Sequence, residues 1–243
     1  MLEINKIHLG DSYQLIKEIP DNSIDLVHID PPYLIHAGGS GGCFGKGDRT
    51  YHDELVDISN GIDNSILEEL CRVLKKINIY IWCNKNQLGQ YIQFFENKGC
   101  NTELLTWHKT NPIPTCNNKY LSDTEYCLFF REKGVPIYGT FSTKQKYYVT
   151  GLNTKDKGKW EHPTIKPLGI VKNLIFNSSK EGDVILDCFS GSGTTAIACD
   201  DLHRSFIAIE IDKKYHSLCH LLWTFLTNIL FGLLRFLDFL FSY

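Results

Sequence analysis

The chain has 243 residues, 43% of them hydrophobic and 22% charged, with a net charge of -3. That length suits one α/β core with an inserted segment better than two independent domains, and the composition excludes wholesale disorder and fibrous repeats. Nine scattered cysteines, odd in number and without a C-x-x-C pair, indicate neither a disulfide framework nor a zinc site. With no secretory pattern at the N-terminus, reduced thiols in the cytoplasm are expected.

The charge is unevenly spread. Nine Lys or Arg from Lys109 to Trp160 stand against Asp123, Glu125, Glu132 and Asp156, so this block carries +5 and the remainder -8. A basic block on an acidic body is what a local phosphate-contacting face produces, and equally what a solvated lysine-rich surface produces.

In chain order, apolar residues at Ile4 and Ile7 precede a predicted helix over Asp11–Glu18 and a stop at Pro20-Asp21-Asn22. A buried strand over Ile24–Ile29 runs into Asp30-Pro31-Pro32-Tyr33, where two prolines end regular pairing. The tetrapeptide therefore sits at the C-terminal end of a strand, the edge where open parallel sheets gather their ligands. The glycine-crowded stretch Gly38–Gly47 is expected to be a mobile loop over the site. It is no phosphate-binding P-loop, because Ser40 stands where the first glycine belongs and Gly47 where a magnesium-holding Ser or Thr belongs.

Helical spacing returns over Ser65–Lys76, followed by a strand over Ile77–Cys83, a helix over Gln87–Asn97 and strands at Thr102–Trp107 and Tyr126–Phe130. Little periodicity is visible from Gly134 to Glu161, and loops are expected there. The last third resumes β/α alternation with a strand Val184–Leu186, a glycine turn, a helix Thr194–Leu202 and a strand Ser205–Glu210.

The glycine turn reads Asp187-Cys188-Phe189-Ser190-Gly191-Ser192-Gly193-Thr194, which lets the backbone approach a ligand just before a helix N-terminus. Glu210, seventeen residues past Gly193, ends the next strand where a carboxylate reaches ribose hydroxyls. By itself this turn fits any adenosine-containing ligand, including that of a nicotinamide-dependent oxidoreductase, which leaves Asp30-Pro31-Pro32-Tyr33 unexplained.

Taken together, the tetrapeptide and the turn Asp187-x-Phe189-x-Gly191-x-Gly193 resemble those of the amino-group (N6-adenine or N4-cytosine) DNA methyltransferases. The tetrapeptide precedes the glycine motif, as in the circularly permuted members called the β class. His162-Pro163-Thr164-Ile165-Lys166-Pro167, Gly10-Asp11 and Thr106–Pro112 resemble further family segments, so the resemblance covers Ile4 to Tyr215. It implies a Rossmann-like fold with a mixed, mostly parallel sheet flanked by helices, S-adenosylmethionine as cofactor and double-stranded DNA as substrate. In that frame Asp30, Pro31, Pro32 and Tyr33 are catalytic. Phe189, Gly191, Gly193 and Glu210, with Asp187, Ser190 and Thr194 of the turn, surround the cofactor, Thr164 and Lys166 lie at its methionine end, and Asp11 contacts its adenine. Tyr33, Trp107 and Lys109 are expected to bind the substrate, and no metal is required.

The chemistry accounts for the tetrapeptide. An exocyclic amine is a poor nucleophile because its lone pair is delocalised into the ring, so the site must favour the developing ammonium. Asp30 and the carbonyl of Pro31 accept its two N–H groups, and Tyr33 offers a face to a base flipped from the duplex. Adenine is the expected target, because cytosine-N4 members more often carry Ser at the position of Asp30. Residues 1–217 are expected to form one catalytic domain, with 109–160 a target-recognition insertion. From Leu218 to Tyr243 apolar residues lie on every side, which departs from the family pattern. This segment is expected to be a hydrophobic helix burying itself on the domain or in a homodimer rather than in a membrane; an altered C-terminus and a catalytically inactive DNA-binding remnant stay open.

Overall fold

The computed structural model describes residues 1–34, 60–112, 120–152 and 165–219. The expected loop Gly38–Gly47 and residues 220–243 of the apolar C-terminal segment therefore lie outside the described residues, as do Thr164 and His162.

The elements, in order, are β1 (Lys6–Leu9), α1 (Ser12–Leu15) with a 3-10 turn at Ile16–Glu18, β2 (Leu26–Ile29), α2 (Asn64–Val73), β3 (Asn78–Cys83), α3 (Leu88–Glu96), β4 (Asn101–Lys109), β5 (Thr124–Arg131), β6 (Tyr147–Thr150), α4 (Leu168–Ser178), β7 (Val184–Asp187), α5 (Thr194–Asp201) and β8 (Ser205–Glu210). The eight strands form one sheet in the order β1-β8-β7-β2-β3-β5-β4-β6. Pairing is parallel except where β5 lies antiparallel between β3 and β4, so the sheet is mixed and mostly parallel.

Helices cover both faces. On one, Ile66, Leu67, Leu70 and Val73 of α2 and Tyr91, Phe94 and Phe95 of α3 pack on Ile29, Ile79, Ile81, Leu128 and Ile209. On the other, Ile170, Val171, Leu174 and Ile175 of α4 and Ala196, Ala198 and Cys199 of α5 cover Leu26, Tyr80, Trp82, Phe129 and Ile185. Two covered faces explain why β2 and β3 are buried at every residue and read as continuous apolar runs. α2 starts where Asp63 accepts the amide of Ser65 at 2.8 Å, which satisfies an otherwise unpaired first-turn donor.

Three elements differ from the sequence expectation. β1 is a strand because β8 supplies its partner, with Lys6 opposite Ile207 and Leu9 opposite Glu210. β6 forms inside the expected Gly134–Glu161 loop; β4 gives it a backbone partner, while its alternation is hidden because Tyr147 and Val149 face solvent. α4 fills a stretch to which no element was assigned, although Ile170, Val171, Leu174 and Ile175 follow Pro167 at helical spacing.

The layout sets the site. β7 turns toward β8 on one side and β2 toward β3 on the other, so the crevice of the sheet opens between the C-terminal ends of β2 and β7. Because Leu128 is fully buried on β5 beneath the first helical layer, Leu128→Ala is expected to lower unfolding stability by about 2–5 kcal/mol with an unchanged urea m-value, measured by urea denaturation.

Candidate active site

Asp30 leaves the end of β2, and the chain that follows is held in place by amide side chains from the β3–α3 connection. Gln87 donates to the carbonyl of Pro32 at 3.0 Å and to the Tyr91 hydroxyl at 2.8 Å, and Asn84 donates to the carbonyl of Leu34 at 2.8 Å. Pro31 is buried, and Asp30, Pro32 and Tyr33 are half-buried.

Beside the tetrapeptide lies Lys166, only 6% exposed, whose ammonium is 2.5 Å from Asp30 Oδ2 and 3.2 Å from Glu125 Oε2. Glu125 in turn receives Lys109 at 2.6 Å and the Tyr33 hydroxyl at 3.3 Å. Two carboxylates and two ammoniums thus alternate across the mouth of the crevice. The Lys166 ammonium also lies 5.3 Å from the ring centre of Tyr33 and 5.2 Å from that of Trp82, within cation–π range of both.

The ionisation of this array follows from its order. Burial alone would raise Glu125, but the charges of Lys166 and Lys109 outweigh it and hold the carboxyl at about 2. Burial would likewise lower Lys166, yet Asp30 and Glu125 push it above the ordinary lysine range. At Asp30 burial dominates, Lys166 opposes it and the charge of Glu125 adds to it, so its pKa is raised. As pH falls, Asp30 takes up a proton before Glu125 does.

Glu125 was not legible as a site residue. A strand over Tyr126–Phe130 can be read from the sequence, but only the antiparallel placement of β5 brings its first residues to the edge where β2, β3 and β4 end. The same placement pairs Lys109 with Glu125. Trp107 is a core residue at 2% exposure, its indole N–H donating to Thr150 at 2.8 Å and its ring 5.3 Å from the Lys109 ammonium. Of the other basic-block residues, Lys146 pairs with Glu103 and Arg131 donates to the carbonyl of Val135, while Lys119, Lys155, Lys157 and Lys159 lie outside the described residues.

Across the crevice, the loop after β7 is built around two carboxylates. Asp187 accepts the amide of Phe189 at 3.0 Å and a hydrogen bond from Thr195; burial raises its pKa to about 7 against those bonds. Glu210 accepts the amides of Gly191 at 2.7 Å and Asp212 at 2.8 Å, so its first task is to brace the loop. Each oxygen keeps a lone pair for a further donor such as a ribose hydroxyl. Gly191 and Gly193 have φ of 51° and 76°, which a side chain rarely adopts, and a Cβ on Gly193 would lie 3.2 Å from Cys219 Sγ. Ser190 is buried, and the Ser192 and Thr194 hydroxyls bond at 3.0 Å where the loop enters α5. Asp11 caps α1 through the amide of Tyr13 at 3.0 Å, and the neighbouring Ser12 hydroxyl bonds the Cys188 carbonyl, which ties the start of α1 to this loop. Among the described residues, no group of three His, Cys, Asp or Glu is placed to hold a metal ion.

The charge order predicts opposite effects of two substitutions. Removing the negative neighbour in Glu125→Gln is expected to lower the Asp30 pKa, whereas removing the cation in Lys166→Met raises it; a carboxyl-carbon NMR titration of Asp30 reads both, and a shift of the same sign in the two variants would contradict the array.

Residues 24–220 match the model of a family described as DNA methylase, of the N6/N4 type. Among curated proteins, the type II methyltransferase M2.LlaDCHI of Lactococcus lactis subsp. cremoris is 34% identical over 226 residues, covering 85% of this chain and 84% of its own. Type II methyltransferase M2.DpnII of Streptococcus pneumoniae is 31% identical over 226 residues, with 85% and 84% covered. Among solved structures, the M1.HpyAVI-SAM complex superposes with a TM-score of 0.66 at 23% identity, covering 88% of this chain and 98% of that one. The cytosine-N4-specific PvuII DNA methyltransferase gives 0.68 at 17% identity, with 88% and 84% covered, a likeness of fold alone. With the family model spanning both the Asp30 tetrapeptide and the glycine loop, the chain belongs to the N6/N4 family of DNA methylases.

Proposed function

We propose that the chain moves a methyl group from S-adenosylmethionine to the exocyclic N6 of an adenine flipped out of duplex DNA. The observation that carries this reading is the juxtaposition of Asp30 at the end of β2 with the glycine loop at the end of the adjacent strand β7.

The loop suits an adenosine-bearing cofactor. Gly191 and Gly193 present backbone without side chains before α5, Glu210 retains acceptor capacity, and Phe189 and Asp11 flank the same edge. In this reading Phe189, Ser190, Gly191, Gly193, Thr194 and Glu210 hold the adenosine half, with Asp187 shaping the loop and Asp11 at the adenine. Lys166, together with Thr164, holds the methionine end. The bound cofactor supplies an electrophilic methyl group.

The protein's own part is to prepare the amine. Asp30 accepts one N–H and the Pro31 carbonyl the other, which steers the nitrogen toward a pyramidal, more nucleophilic form. Tyr33, fixed by its bond to Glu125, offers its ring to the base. When the nitrogen gains the methyl it must release one proton, and Asp30, whose pKa is raised by burial, is the carboxylate suited to take it. Asp at this position, where cytosine-N4 members more often carry Ser, favours adenine. Residues 1–217 then act as one catalytic unit in the cytoplasm, with target recognition assigned to the parts of 109–160 around β5.

The test is transfer of labelled methyl from S-adenosylmethionine to mixed-sequence duplex DNA, followed by nucleoside analysis, for wild type and Asp30→Ala. N6-methyladenine from wild type is expected, with kcat in the variant lower by on the order of 10²–10³-fold while cofactor binding persists. N4-methylcytosine would correct the base, and no methylated nucleoside with cofactor bound would overturn the reading.

A further inference from the structure

Behind the site, a buried chain of polar groups runs from the catalytic side of the crevice to the cofactor side. The indole N–H of Trp82 on β3 donates to His28 Nε2 at 3.0 Å, and His28 Nδ1 meets the Thr195 hydroxyl at 2.9 Å. Thr195 in turn bonds Asp187. His28, Trp82 and Thr195 are each no more than 3% exposed. Since Nε2 must accept from Trp82, which is donor only, the ring proton sits on Nδ1 and is donated to Thr195, leaving the threonine proton for Asp187.

The tautomer is not in competition with a charged form. Burial first, then the nearby Lys166 charge, lowers His28 to about 3, so the ring is neutral throughout the working range and cannot serve as an acid or base there. Both nitrogens are already spent on protein partners. A neutral, doubly bonded imidazole between two fixed partners is a spacer of defined length.

What it spaces is specific. Thr195 lies in the first turn of α5, directly after the glycine loop, so holding its hydroxyl holds the end of that loop. Trp82 carries the Lys166 ammonium 5.2 Å from its ring centre, and Lys166 is the cation paired to Asp30. His28 itself stands two residues ahead of Asp30 on β2. One ring therefore touches both machines.

We propose that His28 is a positioning residue with two separable arms: through Thr195 it sets the cofactor loop, and through Trp82 it sets Lys166 against Asp30. This inference rests on the proposed use of S-adenosylmethionine by the loop and of Asp30 by the base.

The arms separate chemically. Asn at position 28 reproduces a donor near Nδ1 but falls short of Trp82, whereas Gln reproduces an acceptor near Nε2 but leaves Thr195; Phe keeps the volume and removes both. The experiment measures S-adenosylmethionine dissociation constants by calorimetry and kcat at saturating DNA and cofactor for wild type, His28→Phe, His28→Asn and His28→Gln, with melting temperatures alongside. His28→Phe is expected to weaken cofactor binding about tenfold, the equivalent of one hydrogen bond, and to lower kcat by a similar factor. His28→Asn recovers cofactor affinity but not kcat, and His28→Gln recovers kcat but not affinity. Unchanged values in His28→Phe, or equal loss or equal rescue of both quantities in the Asn and Gln variants, would overturn the proposal even if melting temperatures fall. A wild type that binds cofactor but methylates no DNA would instead remove the functional reading, while the dissociation constants of the Phe and Asn variants still decide the Thr195 arm.

Discussion

A lysine ammonium that has left water must be matched by negative charge, and at Lys166 that requirement organises the site around it. With Glu125 as a second partner, itself shared with Lys109, the array stays balanced while Asp30 keeps a second oxygen for another donor. The low-lying pKa of Glu125 and the raised one of Asp30 divide the work, one carboxylate fixed as counter-ion and the other able to accept a proton.

The fold delivers this array through strand direction. Parallel strands β2 and β3 bring Asp30 and the end of Trp82's strand to one edge, β7 and β8 bring the glycine loop and Glu210 to the same edge, and β4 ends there with Lys109. Antiparallel β5 is the exception that matters, since an antiparallel strand contributes its beginning rather than its end, and its beginning carries Glu125. The helical layers leave this edge open and bury everything behind it. That burial is also why His28, on the covered face, can hold a fixed tautomer between Trp82 and Thr195.

A similar economy holds in the glycine loop. Asp187 and Glu210, the two acidic residues that bracket it, both bond backbone amides of the loop, so each has a folding task before any ligand task. The left-handed Gly191 is held by Glu210 through its amide, and the left-handed Gly193 by its amide donating to the Ser190 carbonyl at 2.8 Å, with Cys219 close to Gly193. A loop shaped in advance in this way loses little freedom when a ligand binds.

The sequence by itself determined the αβ alternation, the buried strand that ends in Asp30-Pro31-Pro32-Tyr33, the glycine turn with Glu210 beyond it, and the order of the two motifs. These are local signals, because prolines, glycine spacing and apolar runs act within a few residues of themselves. Strand β6 and helix α4 were less visible, the first because an edge strand borrows its regularity from β4 and the second because the buried face of its last turn is polar, with Asn177 and Ser178. Only the tertiary structure decided that Glu125 joins Lys166 and Asp30, that Lys109 faces inward, that Trp107 is core, and that His28 bridges β3 and α5. Each of these depends on which strands are neighbours and in which direction they run, and residues as far apart as Asp30 and Lys166, 136 positions along the chain, carry no local mark of the partner that burial forces on them.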